Sequence, residues 1–235
     1  MTQITSAMSS QAVLLDLDGT LIASRDGIIV CLRAALRELG REPDPGEDLD
    51  WVIGPPLPDV MARLLGDVGA EAIETGMRAY RAQYDRVGLH ESPLFPGIAD
   101  FMDDLANSGR RVFLATSKPL HLARRILELR GLTGYFDGFY GARPDDTGAE
   151  KPELIADLVA REGVDPERAV MVGDRRYDIT GAHANGLRAI GVLWGYGGRA
   201  ELEAAGADAL AESPQALFAL LEAQLALRPV PSVSG

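Results

Sequence analysis

Short apolar runs alternate with amphipathic segments along most of the chain. The runs are four to six residues long, too short for buried helices, and most are bounded by Gly, Asp or Thr. They predict strands at 12–17, 111–115, 138–141, 169–172 and 188–193. Amphipathic patterns between most of the strands predict helices at 98–108, 120–129, 153–162 and 177–185. This alternation predicts an α/β fold: a Rossmann-like, doubly wound parallel sheet with helices on both faces.

The stretch from residue 22 to residue 91 breaks this alternation. Apolar residues at steps of three and four predict one helix over 28–39, another after Pro58 and a third over 77–87. We expect an all-helical insert, the cap segment (residues 22–91), within an α/β core domain formed by residues 1–21 and 92–235. Residues 1–10 and 229–235 are small, polar or proline-rich and are expected to fray.

Composition and charge narrow the range of partners. The 235 residues include 23 Lys and Arg against 35 Asp and Glu, a net charge of −12. Such a surface repels nucleic acid and anionic membranes, so neither is an expected partner. The single cysteine excludes an internal disulfide, and no apolar run is long enough to span a bilayer. Residues 1–11 also lack the features of a signal peptide, so the expected location is the cytoplasm. Both a monomer and a homodimer are left open.

The first predicted strand ends in a pair of carboxylates, in the order Asp16-Leu17-Asp18-Gly19-Thr20. Residues two apart on a strand face the same side, and Gly19 permits a tight bend. The carboxyl ends of parallel strands border the ligand crevice of such sheets, which favours a site there. The alternative is an ordinary turn, because Asp and Gly are common after strands.

A second acidic pair follows the predicted strand at 169–172. Asp174 comes directly after the strand, and Asp178 lies one helical turn further on. If this strand neighbours the first, four carboxylates converge, and two charges about 4 Å apart repel by about 4 kcal/mol at an effective dielectric constant of about 20. A hard cation relieves this repulsion. Mg²⁺ is the expected cofactor, since no Cys or His cluster favours zinc.

Two further segments suit a phosphate. Thr116 directly follows the predicted strand at 111–115, and Ser117, Lys118 and Pro119 lead into the next helix. The free N–H groups at the start of that helix favour an anion. Lys151 opens another helix, where a cation opposes the helix dipole, so a role in neutralising a phosphate or a carboxylate is favoured. The alternatives are a plain helix cap at 116–117 and a solvated lysine.

Along the chain the four motifs are Asp16 with Asp18, then Thr116, then Lys151, then Asp174 with Asp178. Their order and their positions at strand ends resemble the haloacid dehalogenase superfamily. The second aspartate, Asp18, resembles the phosphatase branch of that superfamily. Gly54-Pro-Pro-Leu57, Thr116-Ser-Lys-Pro119 and Gly195-Tyr-Gly197 resemble phosphoglycolate phosphatase-type proteins. Ala23 and Leu154 depart from that pattern, which puts the named substrate in question but not the chemistry.

The resemblance implies a mechanism and a set of roles. Asp16 attacks phosphorus and forms an aspartyl-phosphate, while Asp18 acts as general acid and then as general base. Thr116 and Lys151 stabilise the transferring phosphoryl group. The implied metal ligands are Asp16, Asp18 through its backbone carbonyl, Asp174 and Asp178, the last either directly or through a water. Gly19, Ser117 and Lys118 complete the implied phosphate-binding set.

Specificity is expected to reside in the cap segment. Its candidate substrate-binding residues are Arg25, Pro56, Leu57, Arg81 and Tyr84. The expected function is Mg²⁺-dependent hydrolysis of a small phosphorylated metabolite such as 2-phosphoglycolate. The alternatives are a 5′-nucleotidase, a sugar phosphomutase of the same superfamily and a catalytically silent binding module.

Overall fold

In a computed structural model the chain is described over residues 11–226, except for 42–43, 45, 47–48 and 67. The predicted fraying of both ends therefore lies outside the described residues. The strands are β1 (Ala12–Leu15), β2 (Arg111–Pro119), β3 (Gly138–Ala142), β4 (Ala169–Gly173), β5 (Arg188–Val192) and β6 (Ala209–Ala211). The helices are α1 (Arg25–Glu38), α2 (Leu57–Leu65), α3 (Ala70–Gln83), α4 (Ile98–Asn107), α5 (Leu120–Leu129), α6 (Lys151–Glu162), α7 (Arg176–Ala184), α8 (Gly198–Ala204) and α9 (Pro214–Ala226). Short 3₁₀ turns occur at Asp50–Val52, Thr133–Tyr135 and Pro166–Arg168, and a π-helical turn at Tyr84–Gly88.

The strands form one parallel sheet in the order β3-β2-β1-β4-β5-β6. The chain proceeds outward from β1 through β2 and β3, and then returns to the other side of β1 with β4. Leu15, the last residue of β1, pairs with Leu114 on one side and with Val172 on the other. The point where the direction reverses lies between β1 and β4, which is where such sheets bind ligands. The predicted α/β fold with a parallel sheet is confirmed.

Both faces of the sheet are covered by apolar packing. In β1, Val13 and Leu15 belong to one buried cluster, while Ala12 and Leu14 belong to a second cluster on the opposite face. A strand that is buried on both faces needs apolar residues at every position, which explains the continuous apolar runs in the sequence. The first cluster also contains apolar side chains of α1, so apolar packing is continuous from one face of the sheet into the cap segment.

Several element boundaries differ from the sequence predictions. Helix α2 begins at Leu57 and includes Pro58 in its first turn, where a missing N–H has no cost. The third predicted helix, 77–87, is the end of α3 followed by the π-helical turn. Strand β6 and helices α8 and α9 were not predicted. For β6 the reason is its length, because a three-residue strand carries almost no periodic signal.

The proposed division into an α/β core and a cap segment remains a prediction. Within the described residues, the part between 22 and 91 contains helices and turns, with a single bridging residue, Ile22, that contacts Asp18 and Leu94. No helix among the described residues combines the length and the apolar character needed to cross a bilayer.

Candidate active site

The ends of β1 and β4 bring three buried carboxylates together. Asp16 follows β1 and its backbone N–H donates to the carbonyl of Val172 at 3.0 Å, which joins the two strand ends. One carboxylate oxygen from each of Asp16, Asp174 and Asp178 lies within 4.8 Å of the others. Asp178 reaches this position from the first turn of α7, where its Oδ2 accepts from the N–H of Arg175 at 3.1 Å. Of the four carboxylates expected to converge, Asp16, Asp174 and Asp178 do so, whereas the Asp18 side chain lies outside this group and pairs with Lys118.

The electrostatics of this cluster favour a bound cation. Burial raises the pKa of Asp174 well above its usual value, and the nearby Asp178 and Asp16 carboxylates raise it further. Oδ2 of Asp174 accepts from the N–H of Tyr196 at 2.8 Å, whereas the buried Oδ1 has no hydrogen-bond partner. An orphaned carboxylate oxygen among acidic neighbours fits a hard divalent cation, which prefers oxygen ligands. Asp16, Asp174 and Asp178 could hold such an ion.

Lys151 neutralises part of the cluster. Its Nζ lies 2.7 Å from Oδ1 of Asp16, 2.6 Å from Oδ1 of Asp178 and 2.7 Å from the carbonyl oxygen of Ala115. Burial alone would lower the pKa of Lys151, but the two carboxylates outweigh burial and raise it. Burial raises the pKa of Asp16 to about 6, against the opposing effect of Lys151, so Asp16 is mostly ionised at neutral pH.

Glycines allow the backbone to approach Asp174 closely. Gly19 has a φ of +82°, and a Cβ at this position would collide with the Asp174 carboxylate. A Cβ at Gly195 would also collide with Asp174, and the next residue, Tyr196, donates the hydrogen bond described above. The contact between Tyr196 and Asp174 was not predicted. The signal for it is the pair of glycines, Gly195 and Gly197, that flank Tyr196 in the sequence.

The segment after Thr116 differs from the predicted helix entry. Strand β2 continues to Pro119, with a shift in its pairing to β3 after Thr116, so Thr116 ends only the regular pairing. Thr116 is buried, and its Oγ1 accepts from the N–H of Lys118 at 3.2 Å. Ser117 donates to the carbonyl of Ala149 at 2.7 Å. Thr116 and Ser117 therefore already have partners within the protein.

Lys118 contacts a carboxylate of the first motif. Its Nζ lies 3.0 and 2.9 Å from the two carboxylate oxygens of Asp18. The same ammonium group lies 4.6 Å from the centre of the Tyr84 ring, in the cap segment. No local sequence pattern indicates this ion pair, because its partners are 100 residues apart.

A cavity of about 220 Å³ lies between these residues and the cap segment. Among the predicted site residues, it is lined by Asp16, Asp18, Thr116, Ser117, Lys118, Lys151 and Asp178. The cap candidates Leu57, Arg81 and Tyr84 also line it, whereas Arg25 and Pro56 do not. The Arg25 guanidinium pairs with Asp50 instead, and Pro56 immediately precedes α2.

Arg175 joins the second acidic motif to the cap segment. Its Nε donates to Glu201 at 2.9 Å, and its Nη1 donates to the carbonyl oxygen of Ile53. In sequence, Arg175 lies between the two motif aspartates, Asp174 and Asp178. In the structure its side chain links this motif directly to the cap segment.

Comparisons with known proteins identify the family of this chain. Residues 13–192 match the haloacid dehalogenase-like hydrolase family, and the chain belongs to it. Among solved structures, a crystal structure of a predicted phosphatase from Clostridium acetobutylicum has a TM-score of 0.85 and 31% identity, covering 93% of this chain and 99% of that one. The family resemblance inferred from the motifs is confirmed.

Proteins similar in sequence to this chain are named for several different activities. The tyrosine-protein kinase PtkA of Mycobacterium tuberculosis is 40% identical over 80% of this chain, which spans only 64% of that protein. A 5′-nucleotidase of Pseudomonas aeruginosa is 38% identical, covering 85% of this chain and 90% of that protein. A plasmid-encoded phosphoglycolate phosphatase of Cupriavidus necator is 31% identical, covering 92% and 95%.

Proposed function

We propose that this protein is a Mg²⁺-dependent phosphatase that hydrolyses small phosphomonoesters through an aspartyl-phosphate on Asp16. The observation that carries the proposal is the buried cluster of Asp16, Asp174 and Asp178 with Lys151 in direct contact with Asp16. A carboxylate that is ionised at neutral pH needs no base to act as a nucleophile. The family and the phosphatase names among its relatives support the same reaction class.

Two chemical steps follow from this assignment. In the first, an oxygen of Asp16 bonds to phosphorus, the bond from phosphorus to the ester oxygen breaks, and Asp18 gives a proton to the departing oxygen. In the second, water gives a proton to Asp18 and attacks phosphorus, which releases inorganic phosphate and regenerates Asp16. Thr116 and Lys151 offer hydrogen-bond donors to the phosphoryl oxygens.

The ion pair between Lys118 and Asp18 bears on both steps. Asp18 must reach the leaving oxygen and later the water, so its contacts with Lys118 have to loosen or rearrange during turnover. We assign Lys118 the role of holding the Asp18 side chain in place between turnovers, which differs from the phosphate contact expected from the sequence.

The proposed metal ligands are Asp16, Asp174 and Asp178, with the backbone carbonyl of Asp18 added by the family resemblance. A bound Mg²⁺ supplies positive charge that offsets both the carboxylates and the phosphoryl oxygens. Gly19 leaves room for the Asp174 carboxylate, which is its proposed contribution to the phosphate and metal site.

The test is phosphate release from a panel of phosphorylated metabolites, with Mg²⁺ and with EDTA. We expect Mg²⁺-dependent release by the wild type and a loss of at least about 10³-fold in Asp16→Asn, since the nucleophile is removed. Asp104→Asn, an exposed aspartate on α4, is the matched control and should keep full activity. Full activity of a folded Asp16→Asn variant would reject the assigned nucleophile.

A second candidate is phosphoryl transfer to a tyrosine, as the name of the 40% identical relative PtkA suggests. This second candidate predicts a different product from hydrolysis, a phosphorylated tyrosine instead of inorganic phosphate. Incubation with γ-labelled ATP and a tyrosine-containing peptide tests for transfer: labelled peptide favours it, whereas unlabelled peptide together with phosphate release from the phosphomonoester panel favours hydrolysis. A phosphomutase would yield an isomerised sugar phosphate with little free phosphate.

A further inference from the structure

The wall of the cavity facing the carboxylates is mainly apolar. Most of its aliphatic side chains come from the cap segment: Ile28, Leu32, Val52, Ile53, Leu57 and Val60. Tyr80 and Tyr84 continue the wall, with their ring centres 5.5 Å apart. This part of the cavity is where the portion of a substrate beyond its phosphate has to lie, if the phosphate contacts Asp16.

The arginines and lysines that line the cavity already have acidic partners. Lys151 contacts Asp16 and Asp178, and Lys118 contacts Asp18, as described above. Arg175 pairs with Glu201 at 2.9 Å. A substrate carboxylate would therefore have to displace one of these partners, pair with the exposed His121 or remain without a cation.

Arg81 is the one arginine that the cap segment contributes to the lining. Its guanidinium pairs with Asp146, whose side chain is only 4% exposed. Breaking this pair would leave a buried carboxylate without its partner, which is strongly unfavourable. The remaining basic residue of the lining, His121, is exposed.

These observations favour one kind of leaving group. Removing an apolar group from water against this wall gains about 25 cal/mol per Å², whereas burying an unpaired carboxylate costs several kcal/mol. The two tyrosine rings also offer faces and edges to a planar group. An uncharged aromatic or apolar group thus fits the cap wall better than a second anionic group does.

We infer that the preferred substrates are phosphomonoesters with an uncharged leaving group that carries an aromatic or apolar ring, placed against the cap wall. This inference rests on the proposed function, because it requires the phosphoryl end to lie at Asp16. Aryl phosphates and nucleoside 5′-monophosphates share this chemistry. It excludes a preference for 2-phosphoglycolate, whose leaving group carries a carboxylate.

The test compares kcat/KM of the full chain with Mg²⁺ for phenyl phosphate, uridine 5′-monophosphate and 2-phosphoglycolate. We expect one of the first two to exceed 2-phosphoglycolate by at least about tenfold. Which of the two is faster tells whether the ring is an aryl or a nucleoside group. Equal or faster hydrolysis of 2-phosphoglycolate would overturn the inference.

Two leucines of α2 provide a matched pair of variants. Leu57 and Leu64 are both half-buried, but only Leu57 lines the cavity. Leu57→Ala should lower kcat/KM for the preferred ring-bearing ester about tenfold and change that for 2-phosphoglycolate less than about twofold. Leu64→Ala should leave both values unchanged. Equal losses for all esters in Leu57→Ala would contradict the assigned contact.

Failure of the inference differs from failure of the proposed function. A preference for 2-phosphoglycolate that disappears in Asp16→Asn overturns only the leaving-group assignment. Hydrolysis that persists in a folded Asp16→Asn variant rejects the proposed function and the inference together. No phosphate release from any of the three esters overturns the inference, and it rejects the proposed function only if the metabolite panel also yields no phosphate.

Discussion

At the scale of single residues, Lys118 is the side chain with the most specific consequence. Burial alone would lower the pKa of Lys118, but the Asp18 carboxylate outweighs burial and raises it, so the ammonium group stays charged. The same group faces the Tyr84 ring, which adds a cation–π contact with the cap segment. We propose that a lysine held in this way orients Asp18, as an alternative to the phosphate contact expected from the sequence.

Replacing Lys118 separates these two roles. We expect Lys118→Met to lower kcat about tenfold or more, because Asp18 loses the group that orients it, while KM changes less than about twofold. Lys118→Arg, which retains the charge, should recover part of the loss. Steady-state kinetics on the best ester is the measurement. A raised KM with unchanged kcat would instead support direct phosphate binding by Lys118.

At the scale of elements, the turn after β1 brings the backbone against the carboxylate cluster proposed to hold the metal. The N–H of Gly19 donates to the carbonyl of Ile22 at 3.0 Å, and the N–H of Leu21 donates to the carbonyl of Leu17 at 2.9 Å. This tight turn needs the left-handed φ of Gly19 and brings the backbone against Asp174. The position of the Asp174 carboxylate therefore depends on the conformation of the turn at Gly19.

Two glycine substitutions measure this link. Gly131 also has a positive φ, +71°, but a Cβ there would meet nothing within 4 Å. Gly131→Ala should cost only the backbone strain, about 1–2 kcal/mol of unfolding free energy. Gly19→Ala should cost about 1–3 kcal/mol more and weaken Mg²⁺ binding, because its Cβ displaces Asp174. Urea unfolding and Mg²⁺ titration would detect this, and equal effects of the two variants would contradict it.

At the scale of the whole molecule, we expect the proposed metal binding to be coupled to stability. We expect saturating Mg²⁺ to raise Tm, since a ligand at about 100 times its Kd adds about 2.7 kcal/mol to the unfolding free energy. Asp174→Asn removes a carboxylate whose charge is disfavoured by burial and by its acidic neighbours. This variant should have an unchanged or higher Tm without metal and no response to Mg²⁺. Thermal unfolding with Mg²⁺ and with EDTA is the measurement, and a retained Mg²⁺ response would contradict the ligand assignment.

The pH dependence of stability follows from the same cluster. The pKa values of Asp16, about 6, and of Asp174 lie above their unfolded values, so the metal-free native state binds protons more tightly than the unfolded state. This stabilisation is present at acidic pH and is lost as the pH rises through about 6 and above. Lys151 stays protonated in both states across this window, since its pKa is raised.

The Tm of EDTA-treated protein should therefore be lower at pH 8 than at pH 5.5. Saturating Mg²⁺ should reduce this difference, because the bound cation favours the ionised carboxylates. Asp16→Asn should flatten the slope without metal and serves as the control. A metal-free Tm that increases over this range would contradict the cause assigned to it.

Sequence patterns predicted most of the parallel sheet and its flanking helices, because periodicities of 2 and 3.6 are local properties of the chain. They missed β6, which has three residues, and placed the start of α2 after Pro58 rather than at Leu57. They also predicted the convergence of Asp16 with Asp174, since adjacent parallel strands end at the same edge.

The sequence by itself determined the order of strands and helices, the family and the identity of the acidic residues at the strand ends. Only the tertiary structure decided their partners: Lys118 on Asp18, the Tyr196 N–H on Asp174, and Arg81 on Asp146 rather than free to meet a substrate. These contacts join residues from 22 to 100 positions apart. Such pairings depend on how the elements pack around one another, and no local pattern of apolar and polar residues encodes that packing.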